Sequence, residues 1–195
     1  MLIQLEGTDL TGKTTLIDKI SKLFKDVIIF KTPKEMLPRE DSKQAREKIW
    51  NFYIKRAEEA YETLKKNPNQ IILLDRFFLS ELVYGQVVRK YDSSDVKSLM
   101  TKLINLLQKI DLECWYWIIY LTDSTESIWK RFQIHGDDYI KDKKYFHNLK
   151  GEYNKRIEWL KNVFNIMEIN VFKDKDYRNR IIEELLLFNY NYIRQ

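Results

Sequence analysis

Cysteine is almost missing from this chain: Cys114 is the only one in 195 residues. That excludes an internal disulfide and a cysteine-built metal site. Cys114 sits just before an apolar run and reads as a core thiol rather than a nucleophile. Long apolar runs are absent as well. The longest, Cys114 to Leu121, is too short to span a bilayer. Histidine is scarce, with only two residues, His135 and His147, and neither falls in a pattern that assigns it a role. No repeat, linker or low-complexity segment interrupts the chain, and with strand one read from Leu2 no signal peptide is expected. A reducing, cytoplasmic compartment is the resulting expectation.

A chain of this length holds one domain with room for one core, so residues 1–195 are read as a single unit. Its 44% hydrophobic and 32% charged residues fit a globular protein. The net charge of +5 suits a protein that handles anionic ligands, although a solvated lysine surface gives the same number.

Two of the five glycines fall in one stretch, Gly7-Thr8-Asp9-Leu10-Thr11-Gly12-Lys13-Thr14-Thr15. It follows the apolar run Leu2 to Leu5 and opens a helical pattern, Leu16, Ile17, Ile20, Leu23, Phe24. Strand, glycine loop and helix form the context of a P-loop. The glycines let successive N–H groups turn toward phosphate oxygens, and the helix adds its positive end. Lys13 can reach the β- and γ-phosphates, and the Thr14 hydroxyl can ligate Mg²⁺.

Downstream, strands alternate with helices. Val27–Phe30 reads as strand two, Gln44–Lys66 as a helix, and Ile71–Leu74 as strand three. Helices follow over Phe78–Arg89 and Val96–Ile110, then strand four over Trp115–Leu121. A helix from Asp123 to about Phe132, another over Tyr145–Val163, strand five over Ile166–Val171 and a last helix over Tyr177–Ile193 complete the chain. That alternation predicts an α/β fold, with a parallel sheet and helices on both faces. Ligands of such sheets sit at the C-terminal strand ends. There the P-loop, Lys31-Thr32-Pro33-Lys34 and Asp75-Arg76 converge. The polar stretch between about 133 and 145 reads as a lid.

Phosphoryl transfer needs neutralised charge and alignment. Asp75 can hold Mg²⁺ through water and Arg76 can clamp a second phosphate in fork geometry, although the dipeptide also suits a surface ion pair. Phe52 and Arg56 lie one helical turn apart on one face. They fit a plate and donor for a flat base, and equally a core phenylalanine beside a snorkelling arginine. The broad apolar stripe from Val96 to Ile110 fits either a homodimer face or a wide core helix.

Four stretches together resemble the thymidylate kinase family of the nucleoside monophosphate kinases. They are Glu6 to Thr15, Phe52 to Glu58 with its phenylalanine-to-arginine spacing, Asp75-Arg76-Phe77-Phe78-Leu79-Ser80 with Tyr84, and Tyr120 to Arg131 followed by Phe146 and Tyr153. The resemblance implies a five-stranded sheet of order 2-3-1-4-5 with a lid, ATP and Mg²⁺ as cofactors, a small nucleotide as substrate and a homodimer. Neither stable nucleic-acid binding nor a membrane is expected. It implies that Asp9 meets the deoxyribose 3′-hydroxyl, Phe52 stacks the pyrimidine and Arg56 bonds its O4. Arg76 would hold the acceptor phosphate, with Lys34 and Ser80 also on the substrate side, and Tyr84 would crowd the 2′ position. Arg131 and the lid lysines would close over the donor phosphates. Lys13, Asp75, Arg76 and Arg131 would carry the transfer, with Thr14 and Asp75 on the metal. Leu10 stands where one branch of the family places an arginine, and Gly85 where glutamine is common.

The reaction expected is transfer of the ATP γ-phosphoryl group to a deoxypyrimidine 5′-monophosphate, dTMP or a uracil relative. A deoxynucleoside kinase is the first alternative and would need a carboxylate just after strand two. A kinase acting on a polynucleotide end or a modified base in DNA is the second. A nucleotide-binding switch is the third.

Overall fold

The structure is a computed structural model and describes residues 1–24, 26–33, 42–135 and 142–193. Among these residues, five strands form one sheet: β1 (Leu2–Glu6), β2 (Ile28–Lys31), β3 (Ile72–Asp75), β4 (Tyr116–Thr122) and β5 (Asn165–Asn170). Their order is β2-β3-β1-β4-β5, and every pairing is parallel. This is the topology expected. β1 is central and buried at every position, which is why it reads as an unbroken apolar run rather than an alternation.

Among the described residues, six helices lie between the strands and a seventh follows β5: α1 (Lys13–Leu23), α2 (Lys43–Lys66), α3 (Phe78–Val87), α4 (Ser93–Cys114), α5 (Thr125–His135), α6 (Lys143–Leu160) and α7 (Tyr177–Ile193). Two cores flank the sheet. On one face Leu2, Ile72, Leu74, Ile118 and Tyr120 pack against α2, α3, α4 and α6. On the other, Ile3, Leu5, Leu73, Ile119 and Leu121 pack against Leu16, Ile17 and Ile20 of α1 and Ile181 and Leu185 of α7. A third cluster joins Ile128 and Phe132 of α5 to Phe146 of α6, with Leu10 of the P-loop packed against it.

Several boundaries differ from the sequence reading. α4 begins at Ser93 and runs to Cys114, because Asp92 accepts from the Ser94 N–H and caps it. α3 ends at Val87 rather than Arg89. Lys90 takes a positive φ of 56°, and the Tyr91 N–H bonds back to the Gly85 carbonyl at 2.9 Å. α6 ends at Leu160, short of Val163. Of the lid read over 133–145, residues 136–141 and the His135 side chain lie outside the described residues; the rest closes α5 and opens α6.

Candidate active site

Every strand ends on the same edge, and a cavity of about 1100 Å³ lies there. It is lined from the P-loop by Asp9 to Thr15, from the β2 end by Lys31, Thr32 and Pro33, and from the β3 end by Asp75 and Arg76. The volume exceeds what one small ligand needs.

The P-loop takes its shape from two glycines. Gly7 has φ 141°, and a Cβ there would lie 2.2 Å from the Leu121 main-chain oxygen, so no side chain fits. Gly12 has φ 89° and caps α1 without a side-chain bond, which leaves the first helical N–H groups turned to the cavity. Leu10 has φ 63°, a costly conformation for a bulky residue, held here by its packing on the Ile128–Phe132–Phe146 cluster. That packing accounts for leucine where a related loop carries arginine. The Lys13 Nζ donates to the carbonyls of Gly7 and Thr8 at 2.8 and 2.7 Å. Burial, and then the Arg76 charge, lower its pKa to about 7.

Arg76 also has a positive φ, 61°. Its guanidinium donates to Asp9 and, at 2.9 Å, to the Tyr84 hydroxyl, which in turn donates to the other Asp9 oxygen at 2.8 Å. A closed triangle results, built from the P-loop, the β3 end and α3. Burial pushes the Asp9 carboxyl up, but Arg76, Lys13 and the Tyr84 bond outweigh it and hold the group below its usual range. Burial keeps the Tyr84 phenol protonated, with a pKa well above the ordinary value. Beneath the triangle the Glu6 carboxylate, fully buried at the end of β1, accepts from the Ser80 hydroxyl at 2.5 Å, Gln4 at 2.7 Å and the Phe77 N–H at 2.9 Å. Its pKa is raised, because burial outweighs those donors.

On the opposite wall Arg131 of α5 is anchored by the buried Asp123 carboxylate at 2.5 Å. Val171, Tyr177 and Arg178 line the cavity beside the P-loop. Thr8 Oγ1, the Tyr177 hydroxyl and Arg178 Nε are buried and have no hydrogen-bond partner among the described residues. Such groups are costly to leave unmet, and a bound anion or nucleotide is the kind of ligand that meets them.

No protein-family model matches the chain. A thymidylate kinase of Campylobacter jejuni is 25% identical over 202 residues, covering 96% of this chain and 99% of that protein. The structure of Bacillus subtilis YorR, described as in complex with phosphorylated GDP, superposes with a TM-score of 0.68 at 23% identity, covering 97% and 98% of the two chains. A deoxyadenosine kinase from M. mycoides with bound dATP superposes at 0.60 with 23% identity, covering 95% and 99%. Over nearly its whole length the chain is thus similar to P-loop nucleoside monophosphate kinases and shares their fold.

The structure gathers most of the residues singled out by sequence. Asp9, Lys13, Thr14, Thr15, Asp75, Arg76, Ser80, Tyr84 and Arg131 all line the one cavity. Ser80 does so with its hydroxyl committed to Glu6 and Tyr153, so it orients Glu6 rather than offering a free donor. Lys34 lies outside the described residues. Phe52 and Arg56 are not brought to the described cavity wall. The wall receives their neighbour Tyr53, which the helical rotation of about 100° per residue turns inward with Ala57 and Tyr61. Arg56 instead pairs with Glu59 at 2.8 Å and lies over the rings of Phe30 and Phe52. It therefore flanks the apolar stripe rather than falling inside it.

A Mg²⁺ ion fits this donor set only as a phosphate-held ion. No group of three or more histidine, cysteine or carboxylate side chains that could hold a metal exists among the described residues. Thr14 and Asp75 supply a hydroxyl and a carboxylate at the cavity, and Mg²⁺ commonly takes one or two protein oxygens beside substrate phosphates. Among the described residues no helix is long and apolar enough to cross a membrane.

Sequence reasoning did not single out Tyr53, Glu81, Arg89, Val171, Tyr177 and Arg178, all of which line the cavity. For Glu81 a signal existed: it is the only carboxylate in the apolar helix Phe78–Val87 and is buried, so it requires a partner. For Arg178 none existed, since one arginine at the start of a polar helix reads as solvated surface.

Proposed function

We propose that this kinase transfers the γ-phosphoryl group of ATP to the 5′-phosphate of a deoxypyrimidine monophosphate, with dTMP the leading candidate. The observation that carries the reading is the single cavity holding two separate cationic centres, Lys13 in the P-loop and Arg76 beyond it. Donor phosphates on the P-loop meet the N-terminus of α1, Lys13 and Arg131, and the adenine end lies toward Val171, Tyr177 and Arg178. The acceptor phosphate meets Arg76, which gives up part of its Asp9 and Tyr84 contacts to a stronger anion. Asp9 and Tyr84 then face the sugar.

A phosphate monoester is already largely a dianion at neutral pH, since its second pKa is about 6. No general base is required. Lys13, Arg76 and Arg131 offset the repulsion between the two phosphates and spread charge as transfer proceeds. When bound, Mg²⁺ would neutralise the donor β- and γ-oxygens, held by Thr14 and Asp75. A homodimer through α4 and a cytoplasmic location belong to the same reading.

A coupled assay with ATP, Mg²⁺ and each deoxy- and ribomonophosphate tests it. Diphosphate formation fastest from dTMP or dUMP supports the proposal. Turnover of thymidine but not dTMP would move the enzyme to the deoxynucleoside kinases, and activity confined to an oligonucleotide would move it to polynucleotide ends.

A further inference from the structure

Four arginines line the cavity: Arg76, Arg89, Arg131 and Arg178. Arg76 is paired with Asp9, Arg89 with Glu81 at 2.7 Å and Arg131 with Asp123 at 2.5 Å. Arg178 differs from the other three. It makes no hydrogen bond or ion pair among the described residues, and its Nε is buried and unmet. A guanidinium offers five donors and no acceptor, so on a cavity wall its natural partner is an anion.

The place of Arg178 is set by the first turn of α7. Tyr177, which opens that helix, is 3% exposed and packs in one core with Leu16, Ile17 and Ile20 of α1. Asn179 accepts from Lys19 of α1 at 2.5 Å, and Arg180 pairs with Asp174 at 2.7 Å. The turn is thereby fixed against α1, and Arg178 Cζ lies over the Tyr177 ring at 4.9 Å. Both side chains come up to the P-loop at Gly12, the cap of α1. A Cβ at Gly12 would lie 2.8 Å from the Tyr177 hydroxyl and 3.6 Å from Arg178 Nη2. Glycine therefore serves this position twice, through its φ of 89° and through the room it leaves for α7. Gly12 is also where an anion meets the first N–H groups of α1. Within Gly7 to Thr14 the only cation is Lys13, Leu10 being apolar. Arg178 brings a second cation to the same point from outside the loop.

On the reading above that the donor's phosphates lie on the P-loop, we infer that Arg178 is a phosphate-binding residue for the donor, a second cation that α7 supplies to the loop. Its guanidinium meets the phosphates rather than the base, since Nη2 stands at the residue that opens α1.

The test titrates wild type, Arg178→Gln and Arg178→Lys with ATP, GTP, UTP and inorganic tripolyphosphate, in the presence of Mg²⁺, by calorimetry. Tripolyphosphate carries no base, so it separates a phosphate contact from a base contact. Arg178→Gln should weaken tripolyphosphate and all three nucleotides alike, by about ten- to hundred-fold, as for loss of a charge-assisted hydrogen bond. Arg178→Lys keeps the charge without the fork and should recover part of that loss. Arg178 leaves no partner stranded among the described residues, so the ligand-free variants should unfold within about 2 °C of wild type. Unchanged binding of tripolyphosphate by Arg178→Gln overturns the inference. So does a loss confined to one nucleotide, which would mark an arginine that serves the base. Wild type that binds neither ATP nor tripolyphosphate overturns the donor reading and the inference with it. No acceptor enters the titration, so failure to phosphorylate dTMP counts only against the proposed acceptor.

Discussion

The two halves of the cavity are built by different means. The half proposed for the donor is made largely of main chain: Gly7 and Gly12 set the loop, the first turn of α1 points its N–H groups inward, and Lys13 folds back onto the carbonyls of Gly7 and Thr8. The half proposed for the acceptor is made of side chains that meet from distant segments. Asp9, Arg76 and Tyr84 close a network there. A backbone device occupies consecutive residues, whereas a side-chain network exists only after folding. The donor half should therefore fail through conformation and the acceptor half through chemistry.

The largest expected effect is on the donor half. Gly7→Ala forces a Cβ against the immobile Leu121 carbonyl and should cost about 3 kcal/mol of stability by denaturant titration, with loss of nucleotide binding. Next, Arg76→Lys keeps the charge but loses the fork, and should lower kcat about 10²–10³-fold while ATP affinity is preserved.

Lys13 gives the donor half a pH signature. With a pKa of about 7, it should take up a proton when phosphates bind. Calorimetry in buffers of different ionisation enthalpy should show uptake rising from about zero at pH 6 to nearly one proton at pH 8, and Lys13→Met should abolish it. Because the folded pKa lies below the unfolded one, burial of Lys13 costs stability in full below pH 7, and that cost is relieved as pH rises toward 10.5.

Smaller effects belong to the acceptor half. Tyr84→Phe removes one hydrogen-bonding hydroxyl from the triangle and should lower kcat/KM for the acceptor about ten-fold, equivalent to about 1.4 kcal/mol. Arg56→Ala, which breaks only a half-exposed pair with Glu59, should change acceptor kcat/KM by no more than about two-fold. A large loss there would return Arg56 to the site and redraw the comparison.

The same contrast explains what was legible in the sequence. The parallel sheet and the P-loop could be read because strands alternate with helices and Gly7 to Thr14 is a contiguous motif with one physical purpose, whereas the strand order came only with the family resemblance. Asp75 and Arg76 could be read because strand ends of a parallel sheet are where ligands lie. That Tyr53, rather than Phe52 or Arg56, lines the described cavity could not: a one-residue difference on a helix rotates the facing side chain by about 100°, and the Phe52–Arg56 spacing is equally good on either side of the core stripe. Tyr91 returns against α3 because the chain turns at Lys90, a turn that no glycine marks.

The central claim is that two anion centres face one another in one cavity. Isothermal titration calorimetry with a bisubstrate nucleotide, adenosine joined to thymidine through a bridge of five phosphates, tests it most directly. The account predicts one molecule bound per chain, about 10²-fold tighter than ATP or dTMP alone, with the gain lost in Arg76→Lys. Binding no tighter than ATP, or unaffected by Arg76→Lys, would contradict it.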